Sequence, residues 1–305
     1  MGVTRPAGAR PSAPSKTAEA SQSRPGLAAL WMAGAIASFT TLAVAGRAVS
    51  VDLTTFELMF WRSLIGLAIL LGFVGLVRPE RAFATGRLPL HLARNIAHFA
   101  AQNLWFFAIA TTPLAIVFAL EFTTPIWGLL LAPLILGERL TRRGLLGAAI
   151  GFAGILVVAG PSTVALSPGL VAAAACAIGF ALSITMTKIL TRTEPLLVIL
   201  MWLHVMQAIF AAVIAGHDGH IALPAPERLH WMVLIGITGL TAHLCLTRAL
   251  QSAPASLVMP MDFARLPVIA IVAMLVYGEP LDPFVLAGAA LIFLGNWVNL
   301  RNRAV

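Results

Sequence analysis

The sequence predicts an all-α integral membrane protein in which ten transmembrane helices form two inverted-topology five-helix repeats. Three observations carry this: a composition outside the soluble range, ten apolar runs of membrane-crossing length, and a stretch that occurs twice. Of the 305 residues, 59% are hydrophobic and 10% charged, against about 45–50% apolar and about 25% charged in soluble domains. The stretch Pro113 to Gly160 returns as Pro254 to Arg301. A shift of 141 positions puts Val117 on Val258, Phe122 on Phe263, Gly137 on Gly278, Glu138 on Glu279, and Gly147 and Gly154 on Gly288 and Gly295. No gap is needed, and the acids inside the two apolar runs coincide, Glu121 with Asp262.

Residues 1–25 are rich in Ala, Pro, Ser and Arg and hold almost no large apolar side chain. They cannot bury enough surface to offset chain entropy, which predicts a disordered cytoplasmic tail. The apolar run that starts at Leu27 is longer than the roughly 7–15-residue core of a signal peptide, so it reads as a first span. A hydrocarbon core about 30 Å thick takes about 20 residues. That ruler marks spans at 27–49, 53–77, 88–110, 113–136, 141–160, 166–190, 194–215, 229–250, 255–277 and 282–300. Each must be a helix, because lipid offers no partner to an open backbone and the runs lack the alternation of barrel strands. The repeats divide the rest of the chain into domains at 26–160 and 161–303.

Orientation follows from Lys and Arg in the short loops. Placing the N-terminus inside puts Arg5, Arg10, Lys16, Arg24, Arg78, Arg81, Arg87, Arg139, Arg142, Arg143, Lys188, Arg192, Arg301 and Arg303 on the cytoplasmic side. Arg228 is then the clear outside charge, with Arg47 near the outer end of its span. Five spans per repeat is an odd number, so the second copy enters the membrane upside down. The same turn reads GERLTRR after span four, inside, and GEPLDP after span nine, outside. Inverted repeats are a signature of secondary transporters, whose halves rock about a site near the midplane.

The run PLAIVFALEFTTPIWGLLLAPLILGERLTRRGLLGAAIGFAGILVVAG resembles the end of an EamA domain of the drug/metabolite transporter superfamily, and residues 254–301 resemble the same element in a second such domain. FWRSLIGLAILL in span two is similar to the family's arginine-bearing helix, and RNIAHFAAQNLWFFAIATTPLA resembles the subgroup that includes S-adenosylmethionine and riboflavin carriers. The resemblance implies a multi-pass ten-helix transporter in a bacterial inner membrane, both termini cytoplasmic, moving a small organic metabolite of amino-acid, nucleosidic or vitamin-like kind. It leaves the substrate and the direction of transport open.

Charged groups within spans cost roughly 2.5–3.5 kcal/mol each and so face the bundle interior, a partner or water. Six stand out: Arg62, His98, Glu121, His243, Asp262 and Arg265. On span three, His91, Asn95, His98, Gln102 and Trp105 recur at helical spacing along one face. His98, Gln102 and Trp105 suit a cavity wall, with Trp105 stacking on a ligand and Gln102 giving directional bonds, whereas His91 and Asn95 suit bonding between helices. Pro125 follows Glu121 by four positions and Pro260 precedes Asp262 by two. A proline frees a backbone carbonyl that can face a cavity. Glu121 has no basic neighbour at helical spacing, which favours a coupling or substrate-binding role, as a proton carrier or a counter-ion to a cationic group. Asp262 has Arg265 three residues on, which favours an ion pair. Arg62 and Arg248 are candidates for a substrate carboxylate or phosphate, although the positive-inside bias accounts equally well for Arg248. His243 and Gln251 share a face of span eight, and Gly144, Gly147, Gly151 and Gly154 read as close helix packing.

Other chemistry finds no pattern. HDGH at 217–220 lacks the three or four ligands of a stable zinc site and reads as a solvated turn. There is no phosphate-binding glycine loop and no basic, aromatic-interleaved strand, so the sequence predicts no metal, no cofactor and no nucleic acid. Cys176 and Cys245 lie in apolar runs and predict no disulfide. The expected partners are a small-molecule substrate, the lipid bilayer and, for coupling, protons, with a homodimer left open. The alternative to a transporter is an intramembrane enzyme acting on a lipid or lipid-linked group through Glu121, His98 and His243. The duplication counts against it.

Overall fold

A computed structural model describes residues 24–77, 83–136, 142–159, 167–190, 192–252, 258 and 261–301. The tail through residue 23, Arg78, Arg81, the Gly137-Glu138-Arg139 turn, Pro254, Pro260 and Arg303 lie outside the described residues. The described chain is helical and contains no strand. In order the helices are α1 (Pro25–Val49), α2 (Thr55–Val77), α3 (Leu88–Thr111), α4 (Leu114–Glu121), α5 (Thr124–Leu136), α6 (Arg142–Ala159), α7 (Pro168–Leu190), α8 (Leu196–Ala215), α9 (Leu229–Ser252), α10 (Arg265–Tyr277) and α11 (Pro283–Arg301).

Prolines mark many of the starts. Pro25, Pro168 and Pro283 open α1, α7 and α11, and Pro113 and Pro195 stand just before α4 and α8. The ring presets φ, and the missing N–H would have had no helical acceptor at that position. Gly278 ends α10 with φ of 66°, a left-handed conformation that favours glycine, and its N–H reaches back to Ala273 and Met274 carbonyls. That geometry gives a physical reason for the Gly of the second Gly-Glu dipeptide.

Six segments among the described residues are long and apolar enough to cross a membrane: Pro25–Val49, Thr55–Val74, Leu114–Leu131, Pro168–Thr187, Leu196–Ala215 and Pro226–Leu246. Of the other four expected spans, α3 falls short on hydropathy because it carries a polar face, and that face is turned inward. His91, Arg94, Asn95, His98, Gln102 and Asn103 are all buried there. The expected ninth span is interrupted before Arg265, which leaves the short apolar helix Arg265–Tyr277, and the fifth and tenth reduce to Gly144–Val158 and Pro283–Val298.

The most extensive pairings are α1 with α9, α6 with α11 and α3 with α7, followed by α2 with α8. α1 and α9 run antiparallel: the Arg24 N–H bonds to the Ser252 carbonyl at one end (2.9 Å), and the hydroxyls of Ser38 and Thr241 meet farther along (3.2 Å). α3 and α7 run antiparallel too, with Arg94 bonded to Thr187 (3.0 Å) and Gly169 packed on Thr112 at the opposite end. The helix bounds themselves repeat. A shift of 141 carries Leu88–Thr111 onto Leu229–Ser252 and Thr124–Leu136 onto Arg265–Tyr277. Under it, the α1/α9 pair maps onto α7/α3, while α6/α11 and α2/α8 are each their own image.

At the α6/α11 crossing the backbones touch through glycines. A Cβ on Gly154 would come 2.7 Å from the Gly288 carbonyl oxygen, and one on Gly295 would collide with the Gly147 carbonyl. These two contacts are mates under the repeat, and the rising order 147 to 154 meets the falling order 295 to 288, so the crossing is antiparallel. Gly288→Leu is expected to force the helices apart and destabilise the bundle by roughly 1–3 kcal/mol or more. Gly128→Ala, at a position with nothing within 4 Å, serves as the neutral control. Thermal unfolding in detergent checks it; equal melting of the two variants would remove the glycine contact from the account.

Candidate functional site

The fourth expected span is two helices, α4 and α5, with a turn at Phe122 and Thr123 between them. Pro125 explains the break, since it cannot donate to the Glu121 carbonyl four residues back. Neighbours supply the lost bonds. The Thr124 hydroxyl donates to the Glu121 carbonyl (2.6 Å), the Thr123 hydroxyl to Leu120 (2.7 Å), and the Asn296 amide, from α11, to Phe122 (2.9 Å). The ninth expected span breaks at the matching place: residues 261 and 262 are helical, Phe263 and Ala264 form a turn, and α10 follows. The Phe122 and Phe263 rings, mates under the repeat, lie 5.0 Å apart. The two breaks therefore face each other, each with an acid immediately before it.

The Arg265 guanidinium bridges those acids, donating to Glu121 Oε1 at 3.0 Å and to Asp262 Oδ2 at 3.2 Å. Glu121 Oε2 accepts from the Trp105 indole N–H at 2.8 Å. The guanidinium lies over the rings of Phe39, Phe118 and Phe122 at 4.7, 5.1 and 5.0 Å, an aromatic box that suits a cation. Arg265 Nε and Asp262 Oδ1 are buried without a hydrogen-bond partner. Two carboxylates and one guanidinium leave one negative charge over.

Beyond Phe39 lies a second group. His243 meets the Phe39 ring edge-on at 5.8 Å and the His98 ring at 6.0 Å. His98 Nδ1 is 3.5 Å from the Ser183 hydroxyl, and its Nε2 has no partner. Arg62 on α2 is buried against α9, where Gly239 makes room for it.

The structure thus gathers Trp105, Glu121, Asp262 and Arg265 in one cluster and His98 and His243 beside it, with Gln102 buried on the same face of α3. The paired reading of Asp262 and Arg265 matches the geometry. For Glu121 the missing basic neighbour comes from the other repeat, 144 positions away. Trp105 is 3% exposed and donates its N–H to Glu121. Asn95 bonds to the His91 carbonyl and to Met206, and Gln207 of α8 to the Asn95 carbonyl, as expected of packing between helices. Arg248 is exposed. The HDGH run forms an exposed turn in which the His220 N–H bonds to Asp218 (3.1 Å) and holds its carboxyl below the usual range. Both cysteines are free thiols.

Two features escaped sequence reasoning. Arg94 lies close to the start of α3, where it looks like a loop charge, yet it is buried and bonded to Thr187 and Asn95. At the other end of the bundle Arg47 pairs with Glu279, donates to the Ile109 and Thr112 carbonyls, and lies 4.8 Å over Tyr277. The second oxygen of Glu279 accepts the Leu114 N–H (2.9 Å), at the positive end of α4, and the Tyr277 hydroxyl donates to Val44 (3.1 Å). One ion pair thus fastens α1, α3, α4 and α10 together.

Known proteins resemble this chain along most of its length. A riboflavin transporter of Brucella anthropi is 33% identical over 243 residues, covering 76% of this chain and 83% of its own. An S-adenosylmethionine uptake transporter of Rickettsia felis is 23% identical over 262 residues, with 86% and 88% covered. A riboflavin transporter of Rhizobium johnstonii is 28% identical over 283 residues, with 92% and 93% covered. A solved crystal structure at 22% identity overlays with a TM-score of 0.64, covering 89% of this chain and 95% of its own, and speaks to the fold alone. The sequence pattern of the EamA-like transporters matches twice, at residues 26–160 and 167–301, and the chain belongs to that family.

Proposed function

We propose that the protein is a secondary transporter that carries a small organic metabolite across the bacterial inner membrane by alternating access of two inverted five-helix halves. The observation that carries this is the meeting of two helix breaks at repeat-related residues, Phe122 and Phe263, with Glu121, Asp262 and Arg265 beside them. Interrupted helices at the interface of two repeats free backbone and side-chain groups for a solute where lipid would forbid it. The repeated helix bounds and the antiparallel α6/α11 crossing support the ten-span inverted arrangement, and the loop charges support cytoplasmic termini. The domain division at 26–160 and 161–303 follows the same repeat.

The relatives' names point to metabolites of nucleosidic or vitamin-like kind. The cluster's surplus negative charge suits a single positive one, a proton or a cationic group on the solute, exchanged at Glu121 or Asp262 while Arg265 holds the other acid. The test is counterflow of a pooled metabolite extract into proteoliposomes, read by mass spectrometry, with the native protein beside Glu121→Gln. An unmodified metabolite is expected to accumulate with the native protein, and the variant to lose at least about tenfold of the rate, as for removal of a charge-assisted bond. Chemically altered products, or no accumulation by demonstrably folded protein, would reject the reading.

A further inference from the structure

Arg62 and Arg94 are 2% and 6% exposed. Among the described residues, Arg47, Arg228 and Arg265 each meet a carboxylate, and neither of these two does. A buried cation is tolerated where something neutralises it, and two guanidiniums cannot neutralise each other. Arg94 is held by neutral partners, its Nε on Thr187 and a terminal nitrogen on Asn95, both at 3.0 Å. The Nε of Arg62 has no partner at all. Its place is nonetheless built. A Cβ on Gly239 would come 2.8 Å from that Nε and 3.1 Å from a terminal nitrogen, so α9 keeps a glycine where the guanidinium lies.

The groups around the two arginines are imidazoles. His98 and His204 lie within electrostatic reach of both. His204 Nδ1 donates to the Leu200 carbonyl (2.9 Å), and its ring fills the space beside Gly66, one turn beyond Arg62. His98 Nε2 is a second buried polar atom without a partner. Phe39 touches both this group, through His243, and the cluster at the helix breaks, through Arg265. Both acids meet Arg265, and among the described residues neither meets Arg62 or Arg94, so the charge on these two is left for a ligand.

We propose that Arg62, Arg94 and His98 form an anion subsite that receives the carboxylate or phosphate group of the transported solute. A guanidinium fork takes two oxygens of such a group at once, and the low-dielectric surroundings strengthen the bonds. The subsite rests on the transport reading for what carries the anion, but binding itself can be measured without transport.

The probe is inorganic phosphate, with acetate in parallel, added to the full-length protein in a neutral detergent free of phospholipid, against sodium chloride at matched ionic strength. The native protein is expected to show a saturable rise in melting temperature. Arg62→Gln should shift the half-saturating concentration upward by about tenfold or more, Arg62→Lys less, and Gly128→Ala not at all. Arg94→Gln is the second variant should Arg62→Gln fail to fold, with the same loss expected. No saturable rise in the native protein, or an unchanged curve in both glutamine variants, overturns the subsite. So does a rise seen only with phosphatidylglycerol micelles, since the ligand would then be a lipid headgroup. In counterflow, an accumulating solute with no anionic group overturns the subsite and leaves transport standing. Saturable anion binding without counterflow does the reverse.

Discussion

Arg265→Gln is expected to destabilise the bundle by about 3–5 kcal/mol and to abolish counterflow. Taking away one partner of a buried ion pair leaves the rest uncompensated, and here two carboxylates from different repeats would face each other with no cation between them. Glu121 would keep its bond from Trp105, and Asp262 would lose its bond from Arg265. The aromatic box of Phe39, Phe118 and Phe122 would lose its occupant as well. The triple change Glu121→Gln, Asp262→Asn, Arg265→Gln removes all the charges together and is expected to recover most of the stability and none of the transport. Thermal unfolding in detergent and counterflow, run on the same preparations, separate the two effects. Native stability in Arg265→Gln would mean that water or lipid already screens the acids, and transport by the triple variant would remove the cluster from the mechanism.

The second large effect belongs to the Arg47–Glu279 fastening. Breaking it with Glu279→Gln removes the charge that faces Arg47 and weakens the cap on the start of α4. The end of the bundle that the Lys and Arg distribution assigns as outer should then open. Cys176 is a native reporter, buried and within electrostatic reach of Glu121. In a Cys245→Ser background, a membrane-impermeant maleimide added from outside is expected to modify Cys176 at least about tenfold faster in Glu279→Gln than in the parent, the population change of about 1.4 kcal/mol. Equal rates would show that the ion pair is not what keeps that end shut.

Much of the fold was legible because bilayer thickness imposes a length on every apolar run. α8 and α9 could be placed from hydropathy and turn residues alone, and the Gly-Glu dipeptides and glycine spacings exposed the repeat. The repeat looked confined to residues 113–160 and 254–301 because glycines, prolines and acids survive where backbone geometry demands them. In the first three helices of each half the register has been kept, as the matching starts at Thr55 and Leu196 and at Leu88 and Leu229 show. The site was half legible. A helical spacing rule links Asp262 to Arg265, but nothing local links Arg265 to Glu121, because that contact depends on how two distant helix breaks meet. The aromatic box was invisible for the same reason, since Phe39, Phe118 and Phe122 look like any other apolar residues in a membrane run. Arg94 gave no signal of its own: its backbone lies near a helix end while its side chain is buried.

The helix breaks match between the two halves, but their chemistry does not. Where the first break has Thr124, donating to a backbone carbonyl, the second has Arg265, holding two acids. In the proposed alternating-access cycle, two identical halves would make the two end states equal in energy, related by a two-fold rotation and divided evenly at rest. A charge carried by one half alone lifts that degeneracy, so the resting division between the two faces is a property of the sequence, adjustable at a single residue, and each 1.4 kcal/mol of imbalance weights it about tenfold.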